Sequence, residues 1–136
     1  MTLGEKQRKF TRMIADLIIF AYDHGYELTF GESYRSDEQA EINAMGANGR
    51  RALCSLIERM FPLLAMKISN NTGSGIRGSL HESKLAIDLN LFRDGKYLAQ
   101  THDHEPLGLY WESIGGAWGG RFNDGNHYSL EHNGVK

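Results

Sequence analysis

A histidine and an aspartate seven residues apart, His81 and Asp88, bracket the stretch GSLHESKLAIDLNLF at residues 78–92. Leu85, Ile87, Leu89 and Leu91 alternate there with Ala86, Asp88, Asn90 and Phe92, the period-two pattern of a strand with one face in the core. Asp88 is then a carboxylate in an otherwise apolar strand. Without a partner, such a group costs several kcal/mol to withdraw from water or takes up a proton. A metal ion is one candidate partner, because Ala86 and Asn90 leave room on the same face and His81 lies in the loop feeding the strand. A catalytic zinc needs three protein ligands and an open position for water. His127 is the best third donor: it opens the run NHYSLEH and follows the turn DGN, which sets Asp124 three residues ahead. Asp124 could then reach a water rather than the metal.

Each of these residues also has an ordinary reading. A lone histidine is more often a surface or satisfied residue than a ligand, and this chain has six. His132 ends the same run as His127, but alternation puts it on the opposite face. His102 and His104, an H-x-H pair in THDHEP, read as a solvated turn before Pro106. Asp124 could simply belong to an Asp-Gly turn, and Arg35 could be a surface charge beside a helix. Trp111 and Trp118 read as packing residues, although the glycines of GGAWGG would allow a mobile flap carrying Trp118 over a cleft. The case for a site rests on the combination.

The elements that must hold these residues follow from periodicity. Phe10, Met13, Ile14, Leu17, Ile18 and Ala21 recur at steps of three and four, predicting a helix over 5–24 capped by Gly25. YELTFGESY predicts a short strand around Leu28 and Phe30. RSDEQAEINAM opens a second helix with a Ser-Asp start signal and an acidic first turn. After a break at Gly46 to Gly49, a third helical pattern covers roughly 50–61 and is disrupted at Pro62. Residues 69–78 read as a polar, glycine-rich loop, and Asp94-Gly95 marks a hairpin following the Asp88 strand. Residues 101–120 read as loop-rich, with a final strand in NHYSLEH. Helices lead and strands follow, so the expected class is α+β, with N-terminal helices packed on a small antiparallel sheet.

With 136 residues the chain suits one domain spanning 1–136, and 24% charged with 40% apolar residues is ordinary globular composition. A net charge of -2 gives no polybasic footprint, which argues against nucleic acid as partner. Lys6, Arg8, Lys9 and Arg12 read as a solvated helix face. Cys54 is the sole cysteine, so no intrachain disulfide is possible, and it reads as a small hydrophobe on an amphipathic helix. MIADLIIFAY, interrupted by Asp16, is too short to span a bilayer and lacks a cleavage site, so neither a transmembrane segment nor a signal peptide is expected.

Taken together, the motifs resemble the zinc D-alanyl-D-alanine peptidases, a family that includes bacterial dipeptidases and carboxypeptidases and phage L-alanyl-D-glutamate endolysins. Its S-x-H-x-x-G-x-A-x-D motif is matched by Ser79, His81, Ala86 and Asp88. The acidic residue three before the last histidine ligand is matched by Asp124 and His127. The upstream segment with arginine and glutamine is matched by Arg35 and Gln39 in SYRSDEQA. The resemblance spans about residues 30–130, with its motifs in the family order. It implies a hedgehog/DD-peptidase-like fold and one Zn²⁺ held by His81, Asp88 and His127. It also implies Asp124 as general base, Arg35 as oxyanion or carboxylate binder, and Ser79 and Gln39 as substrate-binding residues.

Two positions depart from the family pattern. Lys84 stands where the motif has glycine, so the loop is expected to adopt a conformation open to a residue with a Cβ. Asp124 replaces the glutamate of the dipeptidases, which resembles the endolysin branch. The implied function is a monomeric peptidoglycan peptidase of the L-alanyl-D-glutamate endopeptidase type, acting on the stem peptide. It would sit in the host bacterial cytoplasm until lysis. A D-Ala-D-Ala carboxypeptidase or dipeptidase is the alternative on the same scaffold. A non-catalytic zinc-containing binding module, as in hedgehog signalling domains, is the alternative of a different class, and such a module would not need Asp124.

Overall fold

The computed structural model describes residues 1–70 and 78–136; most of the expected glycine-rich loop at 69–78 lies outside them. Helix α1 (Leu3–Asp23) begins at a capping box, in which the Thr2 hydroxyl accepts from the Glu5 N–H while the Glu5 carboxylate accepts from the Thr2 N–H. Phe10, Met13, Leu17 and Ala21 form its buried stripe, and Gly25, at φ +77°, ends it in the left-handed region that glycine alone enters freely.

Strand β1 (Glu27–Phe30) follows, then α2 (Asp37–Ala44), whose Ser36 cap accepts the Gln39 N–H at 3.2 Å. Helix α3 covers Gly46–Ile57, starting inside the glycine-containing stretch that reads as a break. Pro62 does end the preceding turn, but it also opens α4 (Pro62–Ser69). A proline lacks the N–H that the first turn of a helix leaves unpaired anyway, so the same residue breaks one helix and starts the next.

Strand β2 (Ala86–Arg93) is the centre of the sheet. On one edge it pairs antiparallel with β1; on the other it meets β3 (Lys96–Leu98) at its far end and β5 (His127–Ser129) at its near end. Strand β4 (Ala117–Trp118) pairs with the outer side of β5. Asp94 and Gly95 make the β2–β3 turn, both at positive φ (51° and 73°), the conformation that matches the twist of a two-residue hairpin.

The 101–120 region is not loop-rich. Residues Thr101–His104 form a short 3-10 turn that leads directly into α5 (Glu105–Ser113), with Pro106 in its first turn. Its Leu107 and Trp111 are fully buried against α1 and the sheet. The core therefore lies between α1 and α5 on one side and the inward face of β2 and β5 on the other, where Leu85, Leu89, Leu91 and Tyr128 have no exposed surface. The observed class is a mixed helical fold on a small antiparallel sheet, as the order of patterns implies.

Candidate metal centre

The β2–β5 register places Asp88 opposite His127. Opposed residues on an antiparallel pair hold their Cβ atoms within about 5.5 Å on one face, so two donors are brought together by ladder geometry alone. The third donor comes from the turn before β2. The Lys84 N–H returns to the His81 carbonyl at 3.2 Å and the Leu85 N–H to the Leu80 carbonyl at 2.9 Å, folding residues 79–84 back so that His81 faces the strand.

The donor atoms converge. His127 Nδ1 lies 3.1 Å from Asp88 Oδ1, His81 Nε2 lies 3.4 Å from the same oxygen, and the two ring nitrogens are 3.2 Å apart. Zinc–ligand bonds of 2.0–2.1 Å in tetrahedral array put neighbouring ligand atoms about 3.3 Å apart. The triangle seen here is one face of that tetrahedron, so the residues fit a zinc ion with one open position. Among the described residues, His81, Asp88 and His127 are the group of histidine, cysteine and acidic side chains able to hold a metal in this way. Burial pushes the Asp88 carboxyl upward, but hydrogen bonds from His127 and His81, with their charge, outweigh it and hold it at about 2. The carboxylate is therefore anionic at neutral pH, the form a metal requires.

The segment 31–35 runs along the other side of Asp88. The Gly31 N–H donates to the Asp88 carbonyl and the Asp88 N–H to the Glu32 carbonyl, both at 2.7 Å. A Cβ on Gly31 would lie 3.0–3.1 Å from Asp88, so this close approach favours glycine. The Arg35 N–H reaches the His81 carbonyl at 3.4 Å, bringing the arginine to the ligand loop. Its side chain is only 10% exposed, not a solvated surface charge, and Glu32 takes its Nε and Nη2 in a bidentate ion pair. That hydrogen-bonded pairing, together with nearby Asp88 and Glu82, raises the guanidinium's pKa against the opposing effect of burial. Glu32 was not legible as a site residue; its one sequence signal is the i,i+3 spacing from Arg35.

Asp124 occupies the loop before β5, where its carbonyl accepts the His127 N–H at 3.1 Å and its own N–H donates to Gly119 at 3.0 Å. Its side chain is exposed and makes no hydrogen bond or ion pair among the described residues. Gly119 supports this turn at close range: a Cβ there would sit 2.3 Å from the Asp124 carbonyl oxygen and 2.8 Å from His127 Cβ. The Ser79 hydroxyl is buried with no partner, and its N–H donates to Glu82 at 2.7 Å. Gln39 is tied to α2, donating to Asn43 at 2.7 Å, and lines a cavity of about 260 Å³ with Ser36, Ile42 and Leu64.

Several side readings change. The Asn90 amide is engaged with Thr29 Oγ1 at 3.1 Å rather than lining an empty space. His104 is no solvated turn residue: it is 2% exposed, and its Nδ1 meets the Tyr128 hydroxyl at 2.9 Å. Trp118 is no flap. Its indole N–H donates to the Gly125 carbonyl at 2.8 Å, and Gly108 and Gly120 approach its ring so closely that a Cβ on either would overlap it. Lys84 keeps the glycine-like conformation, at φ +56°, instead of relaxing into one suited to a side chain.

Comparison with known proteins agrees with this geometry. The D-alanyl-D-alanine carboxypeptidase family model matches residues 72–130, the stretch holding all three donors and Asp124. Over that stretch, less than half of its length, the chain is similar to the D-alanyl-D-alanine carboxypeptidase family. A solved structure similar to this chain is a mutant of the vancomycin-resistance D,D-pentapeptidase VanY from a VanB-type resistance cassette, in complex with Zn(II). The similarity has a TM-score of 0.52 and 16% sequence identity, over 90% of this chain and 70% of the other. At that identity the likeness concerns the fold. No curated protein sequence matches the chain. Among the described residues, no helix is long and apolar enough to cross a membrane.

Proposed function

We propose that residues 1–136 form one zinc peptidase domain that acts as a monomer and cleaves the L-alanyl-D-glutamate bond of the peptidoglycan stem peptide. The observation that carries the catalytic reading is the triangle of His81 Nε2, Asp88 Oδ1 and His127 Nδ1 at 3.1–3.4 Å, the edge length of a tetrahedral zinc site. When bound there, zinc supplies a Lewis acid that brings the pKa of a water toward about 7.

The remaining roles fall to the chain's own groups. The Asp124 carboxylate, exposed one turn ahead of His127, takes the proton of the attacking water and returns it to the departing amine nitrogen. Arg35 has its Nε and Nη2 edge held by Glu32, which leaves Nη1 free to donate to the developing oxyanion. The unpartnered Ser79 hydroxyl, buried beside the ligand turn, is available to hydrogen-bond substrate, and Gln39 is assigned to a more distant part of the peptide.

Asp124 in place of glutamate favours the endopeptidase. The family description, D-alanyl-D-alanine carboxypeptidase, favours release of the terminal D-alanine instead. Mass spectrometry of digested muropeptides separates the two. The endopeptidase leaves a glycan-linked L-alanine and a free peptide beginning with D-glutamate, whereas the carboxypeptidase removes one D-alanine. Absence of any cleavage by zinc-loaded protein would defeat both. A cytoplasmic store released at lysis belongs to the same proposal, and cell fractionation before and after lysis tests it.

A further inference from the structure

We infer that Lys84, held by Tyr34, is a specificity-determining residue that binds the carboxylate on the carbon bearing the scissile amide nitrogen; this rests on the peptidase reading above. Lys84 sits in the turn between the two ligands His81 and Asp88, and its φ of +56° belongs to a conformation that glycine adopts freely and lysine only with strain. Strain retained at one residue of a ligand loop points to a role for its side chain.

That side chain is placed. The Lys84 ammonium lies 5.0 Å from the ring centroid of Tyr34, which precedes Arg35 and is 53% exposed. The Lys84 and Arg35 N–H groups both donate to the His81 carbonyl, at 3.2 and 3.4 Å, so the backbone segments that carry the cation and its aromatic support meet at one of the candidate metal ligands. A cation over a ring face is attracted without using its N–H donors, which stay available.

Charge singles this lysine out. Arg35 is matched by Glu32, Glu82 and Asp88 add negative charge near it, and Lys84 makes no ion pair among the described residues. An anion entering the site meets it as the uncommitted cation. In an L-alanyl-γ-D-glutamyl bond, the carbon attached to the scissile nitrogen carries a free α-carboxylate; in D-Ala-D-Ala it carries the terminal carboxylate. One cation in this turn serves either bond. Where the glutamate is amidated to isoglutamine, that charge is gone.

The test compares zinc-loaded parent, Lys84→Met, Lys84→Arg and Lys84→Gly on paired muropeptides differing only in glutamate or isoglutamine at this residue. The parent should prefer the acid by about tenfold or more in kcat/KM, mostly through KM, as a charge-assisted contact implies. Lys84→Met and Lys84→Gly should bring the ratio close to one, and Lys84→Arg should restore it. Lys84→Gly should melt at or above the parent temperature, which separates lost recognition from lost structure. A parent without preference, or a preference surviving in Lys84→Met, overturns the inference. A parent that cleaves neither substrate, nor any other muropeptide, defeats the peptidase reading and this inference with it.

Discussion

Asp88 and His127 are register partners across the β2–β5 ladder, with Oδ1 and Nδ1 3.1 Å apart. Two of three candidate ligands are therefore fixed by backbone hydrogen bonding between strands whose other faces are core. Leu89 and Tyr128, their chain neighbours, have no exposed surface, so a slip of one residue in this register would bury the donors and expose the apolar side chains. The metal centre and the hydrophobic core specify each other.

Gly119 tests how tightly the turn ahead of His127 is held. A methyl group there would meet the Asp124 carbonyl oxygen at 2.3 Å and His127 Cβ at 2.8 Å. Both are close to the chain and have little freedom to yield. Gly119→Ala should lower turnover by at least about tenfold and destabilise the fold by about 1–3 kcal/mol, the usual range for overpacking. Denaturant melts and muropeptide assays measure the two effects; parent-like values of both would show that the turn can move.

Glu32 should matter through Arg35. Glu32→Ala keeps the backbone carbonyl that accepts the Asp88 N–H but frees the guanidinium. An expected fall of about tenfold in kcat/KM, with zinc content unchanged, follows from loss of a preorganised donor. In an Arg35→Ala background the same change should add little, because interacting residues are non-additive. Additive losses in this double-mutant cycle would contradict the pairing.

His104 gives the fold an acid-sensitive point. Burial lowers its pKa, against weaker raising effects from Asp103 and the Leu98 backbone. Below about 6.5 the unfolded chain takes up a proton that the folded chain resists, so this residue's contribution is intact above that pH and declines as pH falls toward the lowered folded value. The slope approaches about 1.4 kcal/mol per pH unit for one proton. His104→Gln should flatten the stability curve below about pH 6.5 relative to the parent, as read by denaturant midpoints; identical slopes would show that His104 protonates freely in the fold.

What could be read from the sequence was what local chemistry determines. The alternation through β2, the stripe of α1 and the Asp94-Gly95 turn all depend on residues within a few positions of each other. The His–Asp–His grouping followed from motif order, and β5 supplies the meeting of His127 with Asp88 that such spacing only implies. Long-range demands were not legible. The α5 segment carries Gly108, which weakens a helical reading, yet glycine is needed because the Trp118 ring lies 2.1 Å from where its Cβ would be. The same contact turns GGAWGG from a flexible segment into a packed wall. Lys84 shows the opposite case: the motif's glycine conformation persists although the glycine does not.

The most direct measurement is a paired assay of zinc content and muropeptide hydrolysis in parent, Asp124→Asn and His81→Ala proteins. The parent should bind one zinc and cleave the stem peptide. His81→Ala should lose both properties, and Asp124→Asn should retain zinc while turnover falls by about 10²-fold or more. Turnover in Asp124→Asn equal to the parent's, with zinc bound in both, would contradict Asp124 as the proton-transferring group beside this metal centre.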